Sequence, residues 1–533
     1  MRHRFLLLIL LLVAYPAFAD PIPYEGPITF VLKPPGGGVD AAPAFQAAVG
    51  SNNYVLVVPG NYTFCSTSVG GGYPATGLTS VYIANKTNFV LDMSGSTITI
   101  CNAIASGAGT SYFQFDGNTN YRVIGGNFVG NMTGRTGGGN TVGIQTFNAV
   151  GFQYSNQVFT GDWQSLGGGG AAYDGDFMIN GTFDGAVMND VSLCFDFAFL
   201  KNVTFRDFFA SGKFQGGVGL TCYSNIYDTL LLGQNHTWVT INDTSNVTIA
   251  NGHVTGFSTG WSIASGNGYS LSNNYWDTNP GTASVAGFGG LVNYIDGGNF
   301  TSVGHPPGNI LVSGDHYIGN GNASGGGGGI TVILPPAARG DTITGLSVNA
   351  SFVGNQTNAI EASLALAGST LAQVKNIDLR ALCTPGAPQT NCIGANLGAV
   401  TADAGATIAS VRSLGSTYAD KGIIVSGGAK SYESSIVDAG IAVGSGAGDC
   451  GTTPSISGSN EVGRVVVGGG ANGGVCTVTF SVAMPTVPVC SVWNETSPAR
   501  QPYPVPIGAT LKITAQSTFT AGDSLSYQCK VFQ

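Results

Sequence analysis

The chain has 533 residues, of which 83 are Gly, and only 9% are Asp, Glu, Lys or Arg. Ordinary globular proteins have about 7% Gly and about 25% charged residues, so this composition excludes a helical bundle or a coiled coil. A hydrophobic fraction of 43% with a net charge of −9 excludes a disordered chain. The 19 Lys and Arg against 28 Asp and Glu give no basic footprint, so we expect an all-β protein that binds no nucleic acid.

The amino terminus has the pattern of a secretory signal peptide. Basic residues at 2–4 precede an apolar run over 5–14, and Ala17-Phe18-Ala19 has the small-x-small pattern of a cleavage site. We therefore expect residues 1–19 to be removed and the protein to be secreted, on a bacterial surface or outside the cell, or in the periplasm. The apolar run is too short to span a bilayer, and no later segment reaches about 18 apolar residues, so we expect no membrane association after cleavage.

The ten cysteines fit an oxidising compartment. Their spacing favours five disulfides, which are Cys65–Cys101, Cys194–Cys222, Cys383–Cys392, Cys450–Cys476 and Cys490–Cys529. The sequence has no Cys-x-x-Cys and no Cys/His cluster with zinc spacing, so the cysteines are interpreted as crosslinks and not as metal ligands.

A short helix and a strand are predicted before the main body of the chain. Residues 40–49 place Ala, Phe and Val at helical spacing, with Asp40 as the expected N-cap. The strand expected over residues 54–64 is interrupted by Pro59-Gly60.

Five segments then repeat one pattern of a polar Asn, an alternating apolar strand and a Gly/Asn turn. They are residues 88–100, 120–130, 202–212, 246–256 and 309–319. Alternation with period two indicates half-buried strands, and Asn suits the bends because it tolerates the left-handed backbone region. Short strands without helices between them favour stacked coils, which predicts a parallel β-helix. The alternative, an array of β-sandwiches, requires longer hairpins with two-residue turns.

The composition divides the chain after its signal peptide into three parts. Residues 20–397 are assigned to the parallel β-helix with its capping helix. Residues 398–449, rich in Ala, Gly, Ser and Val, are assigned to narrow terminal coils or a neck. Residues 450–533 alternate strongly again and are assigned to a small β-sandwich. Its five expected strands are 463–470, 476–484, 489–496, 509–516 and 524–532.

The residues around the predicted helix resemble the first coil of the pectate-lyase-like superfamily of right-handed parallel β-helices. The matching residues are Asp40, Phe45-Gln46-Ala47-Ala48 and Pro59-Gly60-Asn61-Tyr62, whereas Ala41-Ala42-Pro43 replaces the paired Asp and Thr usual in that family. The resemblance implies a right-handed single-stranded parallel β-helix and a polysaccharide partner. It covers about 40 residues of motif and bears less on activity, because one fold hosts many functions.

The last part of the chain resembles a module that follows β-helices in bacterial secreted and phage-appendage proteins. The matching residues are Gly463-Arg464-Val465, Cys476-Thr477-Val478-Thr479-Phe480, Pro488-Val489-Cys490 and Tyr527-Gln528-Cys529. The resemblance implies a capping, attachment or trimerisation module, and with it a homotrimer.

Catalytic motifs known for this fold are missing from the sequence. The N-T-D, D-D and G-H-G motifs of polygalacturonase-type hydrolases do not occur, and no acidic cluster with an Arg or Lys base resembles that of the pectate lyases. The best acidic cluster is Tyr173-Asp174-Gly175-Asp176, whose two carboxylates would face one side of a strand about 6.5–7 Å apart. That separation is close to the ~6.5–9.5 Å of inverting glycosidases. Asp174 and Asp176 are therefore candidates for an acid/base pair or calcium ligands, and the alternative is a solvated turn.

A second acidic set follows in the chain. Asp196 alternates with phenylalanines, which predicts that it faces a surface groove opposite an aromatic core. Asp184, Asp207 and Asp228 recur at intervals of 23 and 21 residues, which suggests an acidic row along one face. Arg206 or Lys213 would supply the cation that a lyase needs to take a proton. Otherwise these are ordinary surface residues.

Aromatic side chains near these acids suggest sugar stacking. His236 and Trp238 lie on one face of a strand, a combination that suits proton transfer beside a stacked sugar. Trp163, Tyr173 and Trp261 are further candidates for lining a saccharide groove, and the alternative is packing in the core.

Together these observations predict a secreted enzyme that acts on polysaccharide, either a lyase or a glycoside hydrolase. No cofactor is expected, except calcium if the enzyme is a lyase. The alternative is a non-catalytic surface or appendage protein that binds glycan.

Overall fold

The structure is a computed structural model. It describes residues 26–69, 78–101, 110–131, 141–163, 171–213, 219–225, 244–263, 266–280, 287–293, 308–321, 327–334, 342–355, 361–368, 373–384, 392–396, 408–409, 412–413, 421–425, 436–438, 442–445, 448–458, 462–470, 474–480, 487–497, 501–507, 510–516 and 518–530.

Helix α1 spans Ala42–Ser51, and 31 strands form the main body. In chain order the strands are β1 Phe30–Leu32, β2 Tyr54–Val57, β3 Gly60–Phe64, β4 Ser68–Val69, β5 Leu78–Ala84, β6 Thr87–Ile100, β7 Thr110–Asp116, β8 Thr119–Asn131, β9 Thr141–Ser155, β10 Val158–Asp162, β11 Ala171–Asp184, β12 Val187–Val191, β13 Leu193–Arg206, β14 Phe209–Gly212, β15 Gly219–Asn225, β16 Ser245–Ala250, β17 His253–Thr255, β18 Phe257–Ile263, β19 Asn267–Ser272, β20 Tyr275–Asp277, β21 Gly287–Asn293, β22 Gly308–Ile318, β23 Gly327–Leu334, β24 Thr342–Val353, β25 Glu361–Gly368, β26 Gln373–Thr384, β27 Cys392–Asn396, β28 Ile408–Ala409, β29 Arg412–Ser413, β30 Lys421–Val425 and β31 Ile436–Asp438.

These strands form a parallel β-helix with three ladders. Ladder A contains β5, β7, the first parts of β9, β11 and β13, and then β15, β18, β21, β23, β25, β27, β30 and β31. Ladder B starts at β1 and β2 and continues through parts of β6, β8, β9, β11 and β13 to β16, β19, β22, β24 and β26. Ladder C runs from β3 through the last parts of β6 and β8 to β10, β12, β14, β17 and β20, and ends in the last parts of β22, β24 and β26. The predicted parallel β-helix is therefore confirmed.

The bend between ladders A and B explains the repeated Asn of the sequence. Asn88, Asn120, Asn202, Asn246 and Asn309, which open the five repeated segments, all have φ between 48° and 55°. Side-chain amides bond along this row, as in Asn202 to Asn180 at 2.9 Å and Asn246 to Asn202 at 3.1 Å. Asn tolerates this left-handed backbone region better than other non-glycine residues, so the row fixes where each coil turns.

The interior of the coils is filled by stacked aromatic rings. Phe183, for example, lies parallel to Phe205 with ring centroids 4.9 Å apart. Helix α1 closes the amino-terminal end, where Phe45 packs edge-to-face on Tyr62 and Phe64. The expected N-cap is corrected: α1 begins at Ala42, and Asp40 accepts hydrogen bonds from the backbone N–H groups of Ala42 and Cys65.

The carboxyl-terminal module consists of two four-stranded antiparallel sheets. Its strands are β32 Ala442–Val443, β33 Ser455–Gly458, β34 Val462–Val466, β35 Val475–Thr479, β36 Val489–Asn494, β37 Pro502–Ile507, β38 Thr510–Ala515 and β39 Ser524–Lys530. One sheet has the order β33-β34-β39-β36 and the other β32-β35-β38-β37. The small C-terminal β-sandwich is therefore confirmed, with three strands beyond the five expected. Edge strand β37 has Pro at every second position, at 502, 504 and 506, between exposed apolar side chains.

Four disulfides crosslink the described residues. They are Cys65–Cys101, Cys194–Cys222, Cys450–Cys476 and Cys490–Cys529, four of the five pairs expected from the sequence. The side chains of Cys383 and Cys392 lie outside the part that the structure describes. Within the described part, no helix is long and apolar enough to cross a membrane.

Candidate functional site

The outward side of the ladder A strands carries a row of polar side chains, of which Tyr82, Asp174 and Asp196 are partly exposed and Gln114 and Gln145 are buried. The strand register places Tyr82, Gln114, Gln145, Asp174 and Asp196 directly opposite one another in that order. On the inner side of the same strands lie apolar rings, because side chains alternate between the two faces of a strand. The predicted position of Asp196 on the side opposite a phenylalanine core agrees with this arrangement, since Phe195 and Phe197 are buried in the core. The surface groove stays a prediction.

Asp174 and Asp196 form a carboxyl pair at the end of this row. Both side chains are partly exposed, but protein atoms surround them on the remaining sides. Burial raises the pKa of Asp174 to about 6, while the hydrogen bond that it accepts from Gln145 Nε2 at 3.0 Å acts in the opposite direction. Burial, and next the charge of Asp174, raise the pKa of Asp196 to about 7. The two groups titrate together, so around pH 6–7 the pair holds about one proton.

A second row of side chains on the same side of the strands flanks the pair, and two of its members, Asp116 and Phe147, are buried. Register places Asp116, Phe147 and Asp176 opposite one another, two residues further along the same strands. Asp116 is held by hydrogen bonds from Tyr82 Oη and Asn148 Nδ2, each 3.0 Å long. The predicted same-face arrangement of Asp174 and Asp176 is present, and Asp176 is partly exposed beside the pair.

The proposed acidic row of Asp184, Asp207 and Asp228 is corrected by the register. Asp184 lies opposite Arg206, which follows it by 22 residues. The two form an ion pair, in which Arg206 Nη2 donates a hydrogen bond to Asp184 Oδ2 at 2.8 Å. The interval of 23 residues therefore moves Asp207 one position further, to the bend between ladders B and C, where φ is 53°. There Asp207 accepts a hydrogen bond from Asn251 at 3.0 Å and is distant in the fold from the carboxyl pair. Asp228 lies outside the described residues.

The two candidate cations also lie away from the pair. Arg206 belongs to the ladder B part of β13 and is engaged by Asp184. Lys213 is exposed just after β14, which belongs to ladder C. Among the described residues named in the two rows, the side chains are Tyr, Gln, Asp and Phe, with no Lys or Arg. These rows therefore offer carboxyl groups for acid/base chemistry.

The aromatic residues predicted to stack on sugar lie in the core. Trp163 and Trp261 have no exposed surface, and Tyr173 has 1%. Trp163 packs on Tyr112 and Phe159, so no face of its ring is open to a ligand. Strand alternation turns these side chains inward, which corrects their assignment to a groove. His236 and Trp238 lie outside the described residues and remain a prediction.

The chain of polar residues on this surface was only partly visible in the sequence. Gln145 and Asp116 were missed because the coils that carry them are 29–32 residues long, and no fixed period relates them to Asp174. Asp196 follows Asp174 by 22 residues, and Arg206 follows Asp184 by the same number. This shared spacing is the feature of the sequence that could have placed Asp174 beside Asp196.

In the described part, the one group of three metal-capable side chains is Asp449 with Cys450 and Cys476, whose sulfur atoms form a disulfide. Calcium binding therefore stays a prediction.

Similar solved structures define the class of fold. A point mutant of the tailspike protein of E. coli bacteriophage HK620, in complex with a pentasaccharide, matches with a TM-score of 0.51 and 11% identity, over 93% of this chain and 91% of that chain. A double mutant of the same tailspike matches over the same shares with a TM-score of 0.48 and 12% identity. The A-module of a mannuronan C-5 epimerase from Azotobacter vinelandii matches with a TM-score of 0.39 and 13% identity, over 75% of this chain and 97% of that chain.

At these identities the likeness establishes the fold alone, which is the parallel β-helix that the resemblance to the pectate-lyase-like superfamily implied. The sequence matches no family model and no curated protein.

Proposed function

We propose that the protein is a secreted glycoside hydrolase that cleaves a polysaccharide bound along the outer surface of ladder A. The observation that carries this proposal is the carboxyl pair Asp174–Asp196, with pKa values raised to about 6 and about 7. Hydrolysis of a glycosidic bond needs one protonated and one ionised carboxyl group on either side of the bond. A pair that shares one proton near neutral pH supplies both.

In the proposed reaction Asp196 is the general acid. Its proton passes to the leaving glycosidic oxygen as the bond from that oxygen to the anomeric carbon breaks, and the Asp174 carboxylate attacks that carbon. Water then displaces Asp174 from the covalent intermediate, with Asp196 taking a proton from the water, which restores the pair. The hydrogen bond from Gln145 favours the ionised form of Asp174 and fixes its orientation.

Strand spacing favours this assignment of roles. Directly opposite residues on neighbouring strands are about 4.8 Å apart. Two side chains of equal length that extend in parallel keep about this separation at their carboxyl groups. It is close to the ~5–5.5 Å between the carboxyl groups of retaining glycosidases, and too short for the water that an inverting enzyme places between them. The diagonal neighbour Asp176 is further away and would suit the inverting geometry.

A hydrolase is supported over a lyase by the charges around the pair. A lyase acts on a uronic acid, whose carboxylate has to be neutralised, whereas the described surface here offers the acids Asp174, Asp176 and Asp196. Such a surface favours a neutral polysaccharide, because like charges repel. The pentasaccharide in the similar tailspike supports a glycan ligand for this fold.

Secretion is part of the proposal. It is supported by the signal-peptide pattern of residues 1–19 and by the four disulfides of the described chain, since such crosslinks persist in oxidising compartments.

The experiment is a panel of neutral and uronic polysaccharides incubated with the protein and assayed for reducing ends and for absorbance at 235 nm. We expect reducing ends without the absorbance rise. We expect Asp196→Asn and Asp174→Asn each to lower the rate about 10²–10⁴-fold, the range for loss of a general acid or base. Asp207→Asn is the matched control, since it changes a carboxylate at a distant bend and should leave the rate within twofold. A 235 nm rise would mean elimination, and binding without products would favour the adhesion protein.

A further inference from the structure

The carboxyl-terminal module carries an exposed tryptophan on a flat sheet face. Trp493 lies on β36 with 44% of its surface exposed. The register places it opposite Ser526 of β39, which in turn lies opposite Arg464 of β34. The neighbouring row consists of Val462, Gln528 and Ser491. An indole ring therefore lies open to solvent among hydrogen-bonding side chains.

The polar groups beside Trp493 are held in place by their own hydrogen bonds. Arg464 Nη2 contacts Glu495 Oε2 at 2.9 Å, and Ser524 Oγ donates to the same carboxylate at 3.1 Å. Ser526 Oγ donates to Glu495 Oε1. Ser524 and Ser526 are buried beneath these longer side chains. A network fixed in this way loses little side-chain entropy when a ligand binds to it.

The size of the face decides what it can hold. The outward side of the four-stranded sheet is about 14 Å across and, over the six residues of β36, about 20 Å along, which gives on the order of 300 Å². A stable contact between two proteins buries roughly 800 Å² on each partner. The face around Trp493 is therefore too small for a second copy of the chain and matches a short stretch of sugar.

We propose that this face, defined by Trp493, Arg464, Glu495, Ser491 and Gln528, is a non-catalytic saccharide-binding surface. The apolar face of a pyranose ring stacks on the indole of Trp493, and the ring hydroxyls hydrogen-bond to the polar side chains around it. Aromatic rings with one open face bind ligands that are apolar on one side and polar at the edge. The opposite charges of Arg464 and Glu495 offset each other, which favours a neutral sugar. The proposal does not depend on catalysis by Asp174 and Asp196.

The test measures binding by the full chain to laminarin, dextran, glucomannan and galactan, using retardation in affinity gels and titration with soluble oligosaccharides. All variants carry Asp196→Asn, so the glycan is not degraded. We expect at least one polysaccharide to bind, Trp493→Ala to weaken binding tenfold or more, and Trp493→Tyr to restore most of it. Tyr503→Ala is the control, because Tyr503 is 47% exposed on the other sheet of the module and should leave binding within twofold.

Three results would overturn the proposal. The first is equal binding by Trp493→Ala and the parent, and the second is no retardation by any of the four polysaccharides. The third is a change of oligomeric state in light scattering that accompanies Trp493→Ala, since it would assign the face to a subunit contact. Failure of the hydrolysis assay would leave this test unaffected, because binding is measured directly and the two sites lie in different parts of the chain.

Discussion

Replacing Asp196 by Asn is expected to stabilise the protein at alkaline pH while it lowers the hydrolysis rate. Burial raises the pKa of Asp196 to about 7 from an ordinary 3.8. Between these values the folded state binds more protons than the unfolded state, so the free energy of unfolding falls as pH rises. Above pH 7 the folded protein has to hold an ionised carboxylate where the neutral acid is favoured, and Asn removes that cost.

The magnitude follows from the shift. About three pKa units at about 1.4 kcal/mol each give a ceiling of about 4 kcal/mol for an isolated group. Sharing of the proton with Asp174 and partial solvent exposure reduce this, and we expect a gain of about 2 kcal/mol at pH 8. At pH 4, where both Asp174 and Asp196 are protonated in the folded state, the gain is expected to be close to zero.

The assay compares melting temperatures of the parent and Asp196→Asn at pH 4 and pH 8. Asp207→Asn serves as the control, with the same small effect expected at both pH values, because Asn tolerates the left-handed bend that Asp207 occupies. The reasoning is refuted if Asp196→Asn lowers the melting temperature at pH 8, or if its effect is equal at the two pH values.

Three further outcomes are expected. The hydrolysis rate should follow a narrow bell between pH 6 and 7, falling on the acid side as Asp174 is protonated and on the alkaline side as Asp196 ionises. Initial rates that still rise at pH 9 would contradict this. Proton NMR of the first product should show retention at the anomeric carbon, and inversion would give the role of Asp174 to Asp176. Asn202→Ala should lower the free energy of unfolding by about 1–2 kcal/mol through left-handed strain, and should cost more than Asn202→Gly in denaturant titrations.

The fold was predictable because single residues in the sequence mark the positions of its turns. Each of the five repeated segments begins at an Asn that the structure places at positive φ in the same bend. Alternation over 193–200 likewise predicted that Asp196 faces outward and Phe195 inward, and both do so.

The carboxyl pair was less visible because it depends on register between coils. Paired residues on neighbouring strands of ladder A are separated by 13 to 40 residues, so a carboxylate's neighbour follows from loop lengths and not from a fixed period. Asp184 lies opposite the residue 22 positions later, which is Arg206. Asp207 follows Asp184 by 23 positions and therefore lies in the bend after that strand. The tryptophans show a second limit, since alternation does not say which side of a strand faces the interior.

The prolines of strand β37 affect how concentrated this protein can be in solution before it aggregates. Pro502, Pro504 and Pro506 lie at alternate positions of an edge strand. Because proline has no N–H, the side of the strand that they occupy offers no hydrogen-bond donor to an incoming strand. The blocked edge therefore limits strand-by-strand aggregation at a place where exposed apolar side chains would otherwise promote it.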